Sequence, residues 1–118
     1  MQQGERVYHL SIHSFTPVLG GEVRDADIGL LFDPDRPLEV ALCAHWQALL
    51  QTSLPHFRIR NNYPYLGIDD GFTSHLRLLH PQQYAGIELE LNQQWAQNED
   101  VRKKIVQSVR QLQQKLKT

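Results

Sequence analysis

The sequence predicts a layered α/β domain in which a mixed sheet is flanked by helices. Segments with the apolar patterns of strands alternate along the chain with segments of helical periodicity. The 118 residues, 41% hydrophobic and 21% charged, are enough for one domain with a single core. No internal repeat, linker or low-complexity tract divides the sequence. We therefore expect residues 1–118 to form a single domain.

The first half of the chain is predicted to form two strands and a helix. Residues 7–12 alternate as a strand does, and Pro17, which lacks an amide hydrogen, is expected to end its ladder. Gly20-Gly21 indicates a turn, and the apolar run within residues 27–34 is typical of a buried strand. Residues 38–52 have helical spacing. The predicted apolar stripe of this helix consists of Leu38, Ala41, Leu42, His45 and Leu49, broadened by Trp46 and Leu50.

The second half is predicted to form two more strands and two more helices. Residues 57–60 alternate apolar and basic side chains, and the loop that follows, residues 61–71, is long enough to present binding groups. Thr73 is expected to cap a short helix. A strand is predicted near residues 84–93, and Asn98 is expected to cap the last helix.

Two carboxylates, Glu88 and Glu90, share one side of the strand predicted at residues 84–93. This strand is either half-exposed, with both carboxylates in water, or central, with at least one carboxylate held over a site. A buried ionised carboxylate is unfavourable unless it is paired or faces a metal or a wet cleft. The pattern alone leaves both interpretations open.

The composition excludes some classes of function. A net charge of −1 gives no overall attraction to nucleic acids or anionic membranes. Cys43 is the single cysteine, so we expect it to be a buried thiol in a reducing compartment. No apolar run has the length of a membrane span and the N-terminus lacks a signal-peptide core, so we expect a cytoplasmic protein. The basic side of the last helix is either solvated or a surface for an acidic partner.

His13 lies where the first predicted strand ends, and ligands of open α/β sheets bind at such strand ends. A lone histidine in that position is more often structural than a metal ligand. The surrounding motif, Ile12-His13-Ser14-Phe15-Thr16-Pro17-Val18, changes this balance. It resembles the His-Ser-Phe-Thr-Pro block of N-formylglutamate amidohydrolases.

Three further segments match motifs of the same family in the same order, namely residues 27–33, 62–65 and 86–91. The chain resembles the C-terminal half of that family along nearly its whole length. The resemblance implies a phosphorylase/hydrolase-like α/β fold with a site similar to that of zinc carboxypeptidases. It also implies zinc-dependent hydrolysis of N-formyl amino acids, in which N-formyl-L-glutamate yields formate and glutamate.

The resemblance also implies roles for individual residues. His13 matches the family's metal-binding histidine, and Glu90 matches the expected general base that acts on metal-bound water. Arg24, Asn62 and Tyr65 are expected to hold the substrate carboxylate or the developing oxyanion. Arginine suits such a role because its guanidinium can make a two-pronged contact with a carboxylate.

The metal site is expected to be incomplete in this sequence. Family members have an N-terminal half that supplies the other metal ligands, whereas a catalytic zinc normally has three protein ligands plus water. His9 lies four residues before His13 on the same strand face, but nothing marks it as a replacement. We therefore expect an incomplete copy of the family domain. It would be a fragment, half of a split enzyme with a complementing N-terminal segment, or a catalytically silent binding module.

Overall fold

The computed structural model describes residues 6–69 and 71–117 of the chain. Its strands and helices are, in order, β1 (Val7–Phe15), β2 (Val18–Leu19), β3 (Glu22–Val23), β4 (Ile28–Leu31), α1 (Pro37–Ser53), β5 (Ile59–Asn61), α2 (Gly71–Leu79), β6 (Tyr84–Asn92) and α3 (Glu99–Leu116). Short 3₁₀ turns at Gly67–Asp69 and Gln93–Trp95 precede α2 and α3. No helix within the described ranges is both long enough and apolar enough to cross a membrane.

A mixed sheet of four strands, in the order β1-β6-β4-β5, forms the centre of the domain. β1 runs parallel to β6, whereas β4 runs antiparallel to β6 and parallel to β5. Helices α1 and α3 cover one face of the sheet. α2 and the loop after β5 approach the other face, on which Phe72 of α2 contacts His9 of β1. The predicted layered α/β fold is confirmed.

The hydrophobic core lies between the sheet and the pair of helices α1 and α3. Alternate residues of β6, including Ile87 and Leu89, point into it and are almost completely buried. Trp46 of α1 is fully buried, and its Nε1 donates a hydrogen bond of 2.9 Å to Ser108 Oγ of α3. Full burial of a large apolar side chain contributes about 1.5–3 kcal/mol to the free energy of folding. This face of the sheet therefore supplies most of the driving force for folding.

The buried stripe of α1 differs from the predicted one. Its centre is formed by Leu42, Trp46 and Leu50, whereas Ala41 and His45 are exposed. The largest side chains, rather than the first apolar position of the pattern, determine which face of the helix packs on the sheet. Cys43 is buried as expected, and its burial raises the pKa of the thiol to about 12.

Local signals predicted most, but not all, of the turns and helix ends. Gly20 and Gly21 have positive φ angles of 59° and 80° and form the turn between β2 and β3. Asn98 caps α3, since its side chain accepts a hydrogen bond of 3.0 Å from the amide of Val101. The prediction that Thr73 caps α2 is wrong, because the helix begins at Gly71 and Thr73 is buried within it.

A buried ion pair joins α1 to α2 beside β6. Glu39 is fully buried, and Nε and Nη2 of Arg77 each donate to one of its carboxylate oxygens at 2.8 Å. The amides of Asp33 and Gly86 donate to the same carboxylate at 2.8 and 3.1 Å. These donors offset the desolvation of the charges, and the pair fixes α2 against the sheet.

Candidate functional site

His13 and Glu90 lie side by side on the face of the sheet opposite α1 and α3. They are register partners on the parallel strands β1 and β6, so their side chains project from adjacent positions on the same face. Both lie close to the carboxyl ends of their strands, which finish at Phe15 and Asn92. The structure therefore brings together the two residues to which the family resemblance assigns metal binding and general base catalysis.

Glu90 is a buried carboxyl group with an unused oxygen. Only 6% of the residue is exposed, and its Oε2 has no hydrogen-bond partner among the described residues. Burial raises the pKa of Glu90, and electrostatic attraction to His13 and Arg24 reverses only part of that rise. A buried oxygen without a partner together with a raised pKa is typical of a site that binds a polar group.

Glu88 is the second carboxylate on this face. Its Oε1 lies 3.4 Å from Nε2 of His13, and 12% of its side chain is exposed against 56% of the histidine's. Because β6 is a central strand with most residues buried on both faces, the half-exposed interpretation of its pattern is wrong. The sequence indicated that Glu88 and Glu90 share a face, but it gave no signal that Glu88 contacts His13.

Arg24 and Tyr65 lie together near Glu90. Nη1 of Arg24 donates to the hydroxyl of Tyr65 at 3.0 Å, and the guanidinium carbon lies 5.0 Å from the centre of the same ring. The charge of Arg24 also lowers the pKa of Glu90. A guanidinium and a partly exposed phenol are thus available beside the buried carboxyl group, as a binding site for an anion requires.

Asn62 uses its side-chain oxygen in hydrogen bonds within the protein. Its Oδ1 accepts hydrogen bonds from the amides of Phe32 and Gly67, at 3.1 and 3.0 Å. It also has a positive φ of 53°, which an asparagine tolerates better than most residues. The side-chain oxygen therefore holds the loop between β5 and α2 against the end of β4.

Gly29 of β4 allows this loop to cross the sheet beside Glu90. Gly29 is the register partner of Glu90 across the antiparallel pair, and a Cβ atom at position 29 would lie 1.7 Å from the carbonyl oxygen of Tyr63. Only glycine permits so close an approach of two backbones. The hydroxyl of Tyr63 accepts a hydrogen bond of 2.8 Å from the amide of Asp25, which ties the loop to the segment that carries Arg24.

The described residues do not fit a complete catalytic zinc site. No three of the described His, Cys, Asp and Glu side chains are arranged to hold one metal ion. His9 shares the face of His13, but its Nδ1 lies 2.7 Å from the hydroxyl of Tyr84. His13 would be one ligand of a zinc ion, and further ligands would be required.

The sequence matches no family model and no curated protein. A solved structure is similar to it, that of gene product Atu2144 from Agrobacterium tumefaciens, with 30% sequence identity and a TM-score of 0.61. The match covers 93% of this chain and 40% of that chain, so the chain spans less than half of Atu2144. The likeness supports the fold, and the name of that protein states no activity.

Replacing Gly29 with alanine should displace the loop that carries Tyr63 and Tyr65. The added methyl group would overlap a backbone carbonyl, and such overpacking typically lowers the free energy of unfolding by about 1–3 kcal/mol. Urea denaturation measures this change. Gly71→Ala is the matched control, because a Cβ atom there meets no heavy atom within 4 Å. Equal stability of the two variants would contradict the close approach at Gly29.

Replacing Glu90 with glutamine should alter how stability depends on pH. The pKa of Glu90 is higher in the folded than in the unfolded chain, so the folded state binds the proton more tightly. The stability of the native protein relative to Glu90→Gln should therefore fall as pH rises from the ordinary glutamate pKa through the raised one. Melting temperatures across this range measure the effect. Exposed Glu22→Gln is the control, and a parallel pH dependence of Glu90→Gln and the native protein would contradict the raised pKa.

Proposed function

We propose that this chain carries the proton-transfer and carboxylate-binding part of a metal-dependent amidohydrolase acting on N-formyl amino acids. The family resemblance implies N-formyl-L-glutamate as the substrate. The observation that carries the proposal is the pairing in register of His13 with the buried Glu90. Two polar side chains that the resemblance selects from distant parts of the sequence are neighbours on one face, away from the hydrophobic core.

Glu90 is suited to transfer the proton that amide hydrolysis requires. In this reaction the oxygen of a water molecule bonds to the formyl carbon, the carbon–nitrogen bond breaks, and the departing amine nitrogen gains a proton. A carboxylate with a free oxygen can take the proton from the water and return it to the nitrogen. The raised pKa of Glu90 makes its carboxylate a stronger base towards the water, and an acid–base group is most effective when its pKa lies near the working pH.

Arg24 and Tyr65 are suited to bind the acidic part of the substrate. A guanidinium can hold a carboxylate through two parallel hydrogen bonds, and the phenol supplies one further donor. Their mutual contact of 3.0 Å fixes the guanidinium before substrate arrives. Asn62 contributes indirectly, since its side-chain oxygen positions the loop that carries Tyr65.

Zinc is the cofactor that the resemblance implies, and His13 is the ligand that this chain would offer to it. Because the described residues contain no group of three metal ligands, the other ligands would come from outside this set of residues. A complementing N-terminal segment, as the family resemblance implies, is one source. No part of the proposed proton transfer depends on where those ligands come from.

Replacing His13 with alanine or Glu90 with glutamine should each reduce hydrolysis of N-formyl-L-glutamate. The assay measures formate release by the chain in the presence of zinc. We expect Glu90→Gln to lower kcat by about 10²–10⁴-fold, the usual contribution of a positioned acid–base group. His75→Ala and Glu22→Gln, both at exposed positions, are the matched controls. Equal activity in all variants would reject the proposed roles of His13 and Glu90.

A catalytically silent binding module is the second candidate function. It is favoured by the absence of a three-ligand group among the residues that the structure describes. In that case the chain would bind an N-formyl amino acid without hydrolysing it. Formate release that is absent from every variant, together with substrate binding, would favour this function.

Replacing Arg24 with lysine should weaken binding of N-formyl-L-glutamate under either function. Lysine retains the charge but lacks the paired N–H donors of the guanidinium and the contact with Tyr65. The loss of one hydrogen bond to a charged group lowers the free energy of the interaction by about 1.5–3 kcal/mol. The dissociation constant should therefore rise roughly 10–100-fold in a calorimetric titration without metal. Arg110→Lys on α3 is the control. An unchanged dissociation constant would remove Arg24 from the binding site.

A further inference from the structure

A row of residues crosses all four strands of the central sheet at the level of Glu90. His13 of β1 and Gly29 of β4 are the register partners of Glu90, and Arg60 of β5 is the register partner of Gly29. Register partners direct their side chains to the same face of a sheet. The exposed Arg60 therefore lies on the same face as the candidate site, at the far end of the row.

Arg60 is too distant from Glu90 to act on the same atoms. Neighbouring strands lie about 4.7–4.9 Å apart, so the backbone of Arg60, two strands away, is about 10 Å from that of Glu90. The loop after β5 also lies between them, because the carbonyl oxygen of Tyr63 occupies the space that a side chain at Gly29 would fill. A structural effect of Arg60 on the site would therefore pass through this loop.

The guanidinium of Arg60 packs on the ring of Tyr63. Its central carbon lies 3.8 Å from the ring centre, a distance at which a cation is attracted to the face of an aromatic ring. Nη1 of Arg60 also donates a hydrogen bond of 3.4 Å to the carbonyl of Asp25. Arg60 thus joins the loop after β5 to the segment that follows β3.

The backbone of Asp25 is held through both its carbonyl and its amide. The carbonyl accepts the hydrogen bond from Arg60, and the amide donates to the hydroxyl of Tyr63 at 2.8 Å. Arg58, which precedes β5, forms an ion pair with the carboxylate of Asp25. Because Arg24 immediately precedes Asp25 in the chain, these contacts also fix the point from which the side chain of Arg24 leaves the backbone.

Two consecutive residues of one segment are therefore bonded to the two tyrosines of the loop. Asp25 is bonded to Tyr63, and Nη1 of Arg24 donates to the hydroxyl of Tyr65 at 3.0 Å. Two such contacts restrain the position and the rotation of the Arg24 guanidinium better than either contact alone. Arg60 stabilises the contact that involves Tyr63.

We propose that Arg60 is a positioning residue for Arg24 and that it acts through Tyr63 and Asp25. The inference rests on the proposed function, in which Arg24 binds the acidic part of the substrate. A binding group that is held in place before the ligand arrives loses less conformational freedom on binding, which raises the affinity. Arg60 thus increases the affinity for an N-formyl amino acid without contacting it.

The order of the Arg24 guanidinium in the ligand-free chain tests the positioning directly. Nitrogen NMR of arginine side chains resolves separate Nη signals when rotation of the guanidinium is slow, and Arg24→Lys identifies the signals of Arg24 by their loss. We expect separate signals in the native chain and averaged ones in Arg60→Gln. Arg110→Gln, exposed on α3, is the control and should leave them separate. Averaged signals in the native chain, or unchanged signals in Arg60→Gln, would overturn the proposal.

Binding of N-formyl-L-glutamate provides a second measurement. In a calorimetric titration without metal, Arg60→Gln should raise the dissociation constant about 3–10-fold, because it removes the cation–π contact and the hydrogen bond to Asp25. Tyr63→Phe should change it in the same direction, since it lacks the hydroxyl that binds the amide of Asp25. Circular dichroism should show that both variants keep their fold. Native affinity in both variants would contradict the proposal.

A double-mutant cycle shows whether Arg60 acts through Arg24. If it does, Arg60→Gln should hardly change the dissociation constant in an Arg24→Lys background, because the geometry that Arg60 supports is already lost there. The same fold-change in both backgrounds would indicate a direct contact of Arg60 with the ligand and would overturn the positioning role. If the native chain does not bind N-formyl-L-glutamate, the proposed function fails, whereas the NMR signals of the ligand-free chain still decide whether Arg60 positions Arg24.

Discussion

The parallel pairing of β1 with β6 is the constraint on which the candidate site depends. Side chains of a strand alternate between faces, so a shift of β1 or β6 by one residue would carry His13 or Glu90 to the helix-covered face. The same shift in β6 would move Ile87 and Leu89 out of the core. Burial of each such side chain contributes about 1.5–3 kcal/mol to the free energy of folding. The residues on the hydrophobic face of the strands therefore fix the register that also positions the polar residues on the opposite face. The geometry of the site is therefore maintained by residues that do not belong to it.

On the β4 side of Glu90, contacts of the backbone position the neighbouring loop. β4 presents Gly29 next to Glu90, and the absence of a side chain allows the loop after β5 to cross the sheet there. Asn62 holds that loop to the amides of Phe32 and Gly67, and the loop then places Tyr65 against Arg24. Arg24 itself belongs to the segment that follows the β2–β3 hairpin. The segment with Arg24, strand β4 and the loop after β5 thus meet around one carboxyl group, and the sheet determines where they meet.

The sequence predicted the features that depend on neighbouring residues better than those that depend on distant ones. The placement of Ile87 and Leu89 on one face of β6 and the cap at Asn98 involve only local spacing, and both agree with the structure. The contact of Glu88 with His13 and the buried pair of Glu39 with Arg77 join residues that no periodicity relates. The role of Asn62 illustrates the same limit, because its side chain accepts a hydrogen bond from a backbone amide 30 positions earlier in the chain. Whether an asparagine in a loop faces a ligand or the backbone is decided by the fold around it.

The contrast between two buried carboxylates supports the proposal that Glu90, and not Glu39, takes part in chemistry. Glu39 is fully buried, but four hydrogen bonds from backbone amides and Arg77 satisfy both of its oxygens. Glu90 is almost as deeply buried, yet its Oε2 has no such donor among the described residues, and the pKa of the group is raised. A buried acceptor left without a partner typically lowers stability by about 1–3 kcal/mol. The same sheet can therefore satisfy a buried carboxylate, and the unpartnered oxygen of Glu90 supports the proposal that this group binds a proton or a ligand.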